Sequence, residues 1–122
     1  MKPVTEIDEW EFGAEVQKAN KVVVVAFLAP WSRPCQVLRP VLDEIAAMDP
    51  GKVKIDLVNA DDNRRLSMSY GIESVPTLLY FVGARPRARQ AGMVSKEAIL
   101  AQLDAVSHVG DSAFRDQQKQ YE

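Results

Sequence analysis

The stretch Lys21-Val-Val-Val-Val-Ala-Phe-Leu-Ala-Pro-Trp-Ser-Arg-Pro-Cys35 passes from an unbroken apolar run into a turn bracketed by two prolines. Four successive valines are β-branched, which favours extended backbone. Apolar side chains at every position, without alternation, suit a strand buried on both faces. The run therefore predicts a central strand of a mixed sheet covered by helices. Pro30 to Pro34 makes a turn. From Cys35 to Met48, Val37, Leu38, Val41, Leu42, Ile45 and Ala46 recur near helical spacing. Pro40 lies inside that helix, removes one backbone hydrogen bond and predicts a kink. Asp49-Pro50-Gly51 ends the helix.

On the N-terminal side, Asp8 and Glu11 have the spacing of a capping box. The segment after Asp8, with Trp10, Phe12 and Val16, is predicted as helix to about Asn20. On the C-terminal side, Val53, Ile55 and Leu57 alternate with Lys54 and Asp56 and predict a strand to about Asn59. Asp61-Asp62-Asn63 supplies an N-cap for a short helix to Tyr70, ended by Gly71. Thr77 to Val82 is a third strand and Gly83 a turn. Arg87 to Met93 is a fourth strand, polar enough for a sheet edge. Ser95 caps a last helix carrying Ile99, Leu100, Leu103 and Val106. The order α-β-α-β-α-β-β-α combines a parallel crossover with an antiparallel hairpin, which is an α/β sandwich. Residues 1–107 form the domain; residues 108–122 are a polar C-terminal tail or a helical extension.

The chain has 122 residues, enough for one domain with its own core. Its net charge of −2 lacks the concentrated positive charge that nucleic acid or an anionic membrane would require. The longest apolar run, Val22 to Pro30, is far short of the ~20 residues that span a bilayer. The N-terminus has no apolar segment of a secretory signal. A soluble, cytoplasmic protein is expected. Cys35 is the only cysteine, so no intrachain disulfide can form, and a lone thiol suits a reducing compartment. The one histidine, His108, is remote in sequence from every serine of the loop and supports no Ser-His-Asp arrangement.

The segment Ala29-Pro-Trp-Ser-Arg-Pro-Cys35 resembles the active-site loop of the thioredoxin family, Trp-Cys-x-Pro-Cys, which follows a valine-rich strand and precedes a proline-kinked helix. Tyr70-Gly-Ile-Glu-Ser-Val-Pro-Thr77 resembles the segment carrying the family's cis-proline, here Pro76. Leu78 to Gly83 resembles the hairpin that follows, and Ala91-Gly-Met93 the glycine segment beside the substrate groove. The resemblance covers residues 5 to 107. It implies a three-layer α/β/α sandwich with a mixed four- to five-stranded sheet. Three positions depart from the family pattern. Ser32 stands where the family has its nucleophilic cysteine, Ala26 where it buries an aspartate, and Leu57 where a lysine commonly sits near that aspartate.

Disulfide exchange needs a thiolate to attack and a second thiol to release the mixed disulfide. A serine hydroxyl cannot replace that thiolate near neutral pH. Ser32 reads as a natural helix N-cap or as an introduced Cys-to-Ser replacement, and Ala26 speaks for the first. Cys35 takes the family's resolving position. It reads as an inert apolar core residue or as a monothiol that Arg33 would help to ionise. The resemblance places Trp31, Arg33, Pro34, Val75, Pro76, Gly92 and Met93 around a groove for an extended polypeptide, with the Val75 backbone pairing like a strand. Two functions stay open. One is a redox-inactive, chaperone-like peptide-binding module. The other is a thiol-disulfide oxidoreductase, either a monothiol using Cys35 or a thioredoxin whose first cysteine is replaced. Neither implies a cofactor or metal. Arg85, Arg87 and Arg89 alternate and are expected on one side of an edge strand, guarding it against pairing. Arg64 and Arg65 read as ordinary exposed helix residues.

Overall fold

A computed structural model describes the backbone of residues 4–119 and the side chains of residues 4–107. Strand β2 (Val22–Leu28) is buried at every position. It pairs in parallel with β3 (Val53–Asn59) and antiparallel with β4 (Thr77–Val82). Strands β1 (Val4–Glu6) and β5 (Arg85–Ala91) close the edges, giving the order β1-β3-β2-β4-β5. On one face lie α1 (Arg33–Met48) and α3 (Lys96–Lys119). Leu38, Leu42, Ile45, Ile99, Leu103 and Val106 pack there on Val24, Ala26, Ile55, Leu57 and Tyr80. The other face holds a π-helical turn (Gly13–Gln17) and α2 (Arg64–Ser69). Phe12, Val16 and Leu66 pack there on Val23, Val25, Val58 and Phe81. Phe12, Tyr70 and Phe81 form a triangle with ring centroids 5.5–5.6 Å apart. Two faces with separate apolar clusters make a three-layer sandwich, as the unbroken apolar run of β2 requires.

The sequence reading needs four corrections. Val4–Glu6 is a fifth strand, pairing in parallel with Ile55 to Leu57; three residues carry no readable alternation. The segment after Asp8 is a turn followed by a single π-helical turn instead of a helix to Asn20. The capping box is present, because Asp8 Oδ1 accepts from the amides of Trp10 and Glu11 while Glu11 Oε1 accepts from the amide of Asp8. Where the turn ends, the Glu15 carbonyl accepts from Lys54 Nζ at 3.1 Å, which satisfies one of the carbonyls a helix end leaves open. Strand β5 spans Arg85–Ala91 in place of 87–93, since the hairpin turn uses only Gly83 and Ala84. A bulge opposite Tyr80 and Phe81 interrupts that strand: Phe81 faces Pro86, Tyr80 faces Ala88, and Arg87 has no partner. Arg85 pairs with Val82 of the α1/α3 face and Arg89 with Leu79 of the other, so they point to opposite sides. Asn63 is the fourth case. It sits at the N-cap of α2 without capping it; its side chain accepts from the Glu9 amide and donates to the Asn59 carbonyl.

The backbone of α3 is helical through Lys119. The side chains of the polar tail, His108 among them, lie outside the described residues, as does the chain after Lys119. No helix of the described residues is long and apolar enough to cross a membrane.

Asp56 is the one fully buried acid among the described residues. Its two oxygens accept no hydrogen bond among the described residues. Lys54 Nζ lies 3.5 Å from Oδ2 and is shared with the Glu15 carboxylate. Burial raises Asp56 from the usual carboxylate range to about 6, against the attraction of Lys54 and with help from the negative charge of Glu15. Well below its ordinary value of 3.8 the group is neutral whether folded or not. As pH rises from about 4 to 6 the unfolded chain ionises it first, so stability falls. The loss reaches about 3 kcal/mol and is complete above the folded value.

Two outcomes are expected. Subtracting the urea-derived stability of Asp56→Asn from that of the natural chain leaves a decline between pH 4 and 6.5 and a plateau above it; a flat difference would refute the assignment. Gly83 and Ala84 both have positive φ (57° and 75°), the geometry of a two-residue hairpin turn that disfavours a Cβ. Ala84→Gly should raise stability by about 1 kcal/mol in the same titration.

Candidate functional site

The end of β2 delivers Ala29 and Pro30 to a turn that starts α1. Ser32 is extended (φ −84°, ψ 120°) and is the N-cap of α1; its Oγ accepts from the Cys35 amide at 3.4 Å. Pro34 sits in the first turn, where a missing N–H leaves nothing unsatisfied. Arg33 and Pro34 are exposed, whereas Ser32 and Cys35 are buried. Cys35 is a free thiol, 3% exposed, in the cluster with Leu38, Ala26 and Leu57.

Ala26 and Leu57 are direct neighbours across β2 and β3. Both side chains face α1, so the floor beneath Cys35 is wholly apolar. A carboxylate there would need an ionic partner, and Leu57 cannot provide one. Asp56 does not fill the role. It is one residue from Leu57 and therefore faces the opposite side of the sheet. Cys35 also lines a cavity of about 120 Å³ between α1 and β3, with Leu28, Ala29 and Leu57 as its apolar walls. Glu6 and Arg39, an exposed ion pair at 3.4 Å, stand at its rim.

Trp31 is 71% exposed, yet its indole Nε1 donates to Asp61 Oδ2 at 2.7 Å. That bond fixes the ring against the loop following β3. Asn59 Oδ1 accepts from the amides of Asp61 and Asp62 and shapes the loop in turn. Val75–Pro76 is a cis peptide. Val75 is half-buried, and among the described residues its amide and carbonyl enter no backbone hydrogen bond. Pro76 is buried, and its carbonyl accepts from the Gly92 amide at 2.8 Å. Gly92 has φ 86°, a conformation open to glycine; Met93 beside it is half-exposed. Arg89 donates to the carbonyls of Tyr70 and Gly71 and ties β5 to the segment before Val75.

Trp31 and Val75 share a cleft of about 380 Å³. Gly92 joins the group through Pro76. Arg33, Pro34 and Met93 line neither this cleft nor the cavity at Cys35. The cleft has a wall that the sequence reading left out: α2, through Arg64, Ser67 and Met68. Asp61, read as part of the N-cap of α2, is the acceptor that anchors Trp31. Met68 had one available signal, a large apolar residue on a helix whose buried positions are Leu66 and Ser67.

The thioredoxin family model matches residues 3–105. Thioredoxin 1 of Nostoc sp. is 36% identical over 104 residues, which are 85% of this chain and 97% of that protein. Thioredoxin of Pseudomonas aeruginosa is 35% identical over 102 residues, 84% of this chain and 94% of its own length. Thioredoxin of Haemophilus influenzae is 38% identical over 96 residues, covering 79% and 90%.

If Ser32 serves as the cap of α1, Ser32→Ala should cost about 1 kcal/mol of unfolding free energy and Ser32→Gly only a few tenths. Equal stability of all three proteins in denaturant would remove that role.

Proposed function

This chain belongs to the thioredoxin family, and on that premise we propose that it holds an extended polypeptide without exchanging disulfides with it. The observation that carries the reading is Ser32. At the position where the family's resemblance puts the attacking thiol stands a buried hydroxyl already engaged with the Cys35 amide. Attack on a disulfide needs an exposed thiolate. Among the described residues no base is hydrogen-bonded to that hydroxyl, and the one buried acid, Asp56, faces the other side of the sheet.

The parts suited to binding are retained. Trp31 is exposed and braced by Asp61; Val75 carries a free amide and carbonyl; Gly92 is hydrogen-bonded to Pro76. An extended segment laid along Val75 would gain strand-like hydrogen bonds, with Trp31 covering its side chains. Arg33, Pro34 and Met93 are proposed as the outer contacts of the same surface. A chaperone-like role and a cytoplasmic location follow from this reading, the second because one unpaired thiol suits a reducing compartment.

A second reading is supported by the cavity at Cys35. A thiol that borders open space beside Leu57 is placed to attack a small disulfide, breaking its S–S bond, keeping one half as a mixed disulfide and releasing the other as a thiol. One experiment separates the two. The natural chain should not accelerate dithiothreitol-driven reduction of a disulfide-bonded protein above the rate without it. Ser32→Cys, which restores a dithiol, should accelerate it at least tenfold. A polypeptide retained by the natural chain should be retained equally by Cys35→Ala and should resist elution by reductant. Catalysis by the natural chain, lost in Cys35→Ala, or partners released only by reductant would overturn the non-covalent reading.

A further inference from the structure

Helix α2 presents Arg64, Ser67 and Met68 at i, i+3 and i+4, hence on one face, and that face forms one wall of the cleft. The loop from Ile72 to Val75 and the Trp31 ring line the same cleft. We propose that this cleft selects extended segments in which a large aliphatic side chain and a carboxylate lie two positions apart, the first lodged between Trp31 and Met68 and the second paired with Arg64. The inference rests on the polypeptide-holding reading above and adds which segment is held.

Exposed apolar surface supplies one part of the recognition. Met68 is 79% and Trp31 71% exposed, while Ile72 and Val75 are half-buried at the base. Two large apolar groups facing water across one cleft gain by covering each other's surface with a third. Methionine adapts its shape to the side chain it meets, which suits a range of aliphatic residues.

The polar half is charge complementarity. Three charged groups line the cleft: Asp61, Arg64 and Glu73. The Asp61 carboxylate is occupied by the Trp31 indole at 2.7 Å. Arg64 and Glu73 form no ion pair among the described residues. The α2 wall therefore offers a cation and the loop wall an anion. A carboxylate on the segment is drawn to Arg64, whose planar fork suits it, and repelled by Glu73. That asymmetry sets on which side the acid lies. In an extended segment, residues two apart share a face and stand roughly 7 Å from each other, so one face can supply both groups. Rim charges of this kind discriminate between partners more than they add affinity.

The test uses fluorescein-labelled nonapeptides with a central leucine in a Ser/Gly background and a single charge, two positions before the leucine in one set and two positions after it in the other. Each set pairs a glutamate peptide with a lysine peptide. Fluorescence anisotropy at 50 mM salt reads binding to the natural chain and to Arg64→Glu, Met68→Ser and Trp31→Ala. In the set that brings the charge to Arg64, the natural chain should prefer the glutamate peptide at least fivefold. Arg64→Glu should reverse the preference, and Met68→Ser should weaken both peptides about fivefold. The preference should shrink in 0.5 M salt. Equal binding of the glutamate and lysine peptides in both sets, or a preference that survives Arg64→Glu, overturns the inference; if Trp31→Ala still abolishes that binding, the polypeptide-holding reading stands without it. No Trp31-dependent binding of any peptide overturns both.

Discussion

Strand β2 is hydrogen-bonded along both edges and covered on both faces, and its inner residues, Val23 to Phe27, are almost wholly shielded from water. Parallel β3 and antiparallel β4 are set by its register. Its C-terminal end launches the turn that begins α1, and β3 ends beside it at Asn59, whose side chain shapes the loop that anchors Trp31. Ligand-bearing loops at the carboxyl ends of parallel strands are the general rule for open α/β sheets. The two strands thus place Ser32, Cys35 and Trp31 within one small region before any side-chain chemistry is considered.

In that region the residues agree with one another. A buried carboxylate at position 26 would be costly without a cation or a task, and the chain has alanine there, leucine opposite it and a serine cap above. Cys35 is left as a small apolar residue among Leu38, Ala26 and Leu57. The buried charge of this protein has been placed elsewhere, at Asp56 on the far face, where Lys54 bridges it to Glu15. It links β3 to the π-helical turn and has no path to the thiol.

The cleft depends on braces that lie outside it. Arg89 crosses from β5 to the carbonyls of Tyr70 and Gly71, and the Phe12–Tyr70–Phe81 triangle supports the same segment from below. Tyr80 and Gln90 join β4 to β5, and Gln90 reaches the Ala98 carbonyl of α3. Val75 and Pro76 are therefore held from both sides of the hairpin. An arginine that looked like edge protection is a structural tie, because a bulge at Arg87 turned it away from Arg85.

Much of this was legible in the sequence because the signals were local. The valine run, the alternation of Val53 to Leu57, the capping box of Asp8 and Glu11, and Ser32 before a proline each act within a few residues. They name the strands of the interior and the start of α1, and the motifs from Trp31 to Met93 point to the family. Other features arise between segments distant in the chain, and no local pattern encodes them. Val4–Glu6 becomes a strand only by pairing with β3. The short turn after Asp8 meets, at the Glu15 carbonyl, a lysine thirty-nine residues further along the chain. Arg89 changes role through a bulge against β4. Arg64 reads as an ordinary exposed helix residue, and Met68 draws no reading, until the fold brings α2 beside Trp31. The sequence by itself determined which segments are buried and which chemistry the loop lacks, since hydrophobicity and residue type are properties of single positions. Tertiary structure alone decided which faces Asp56 and Arg89 occupy and what walls the cleft, since those depend on sheet register and on contacts closed over long stretches of chain.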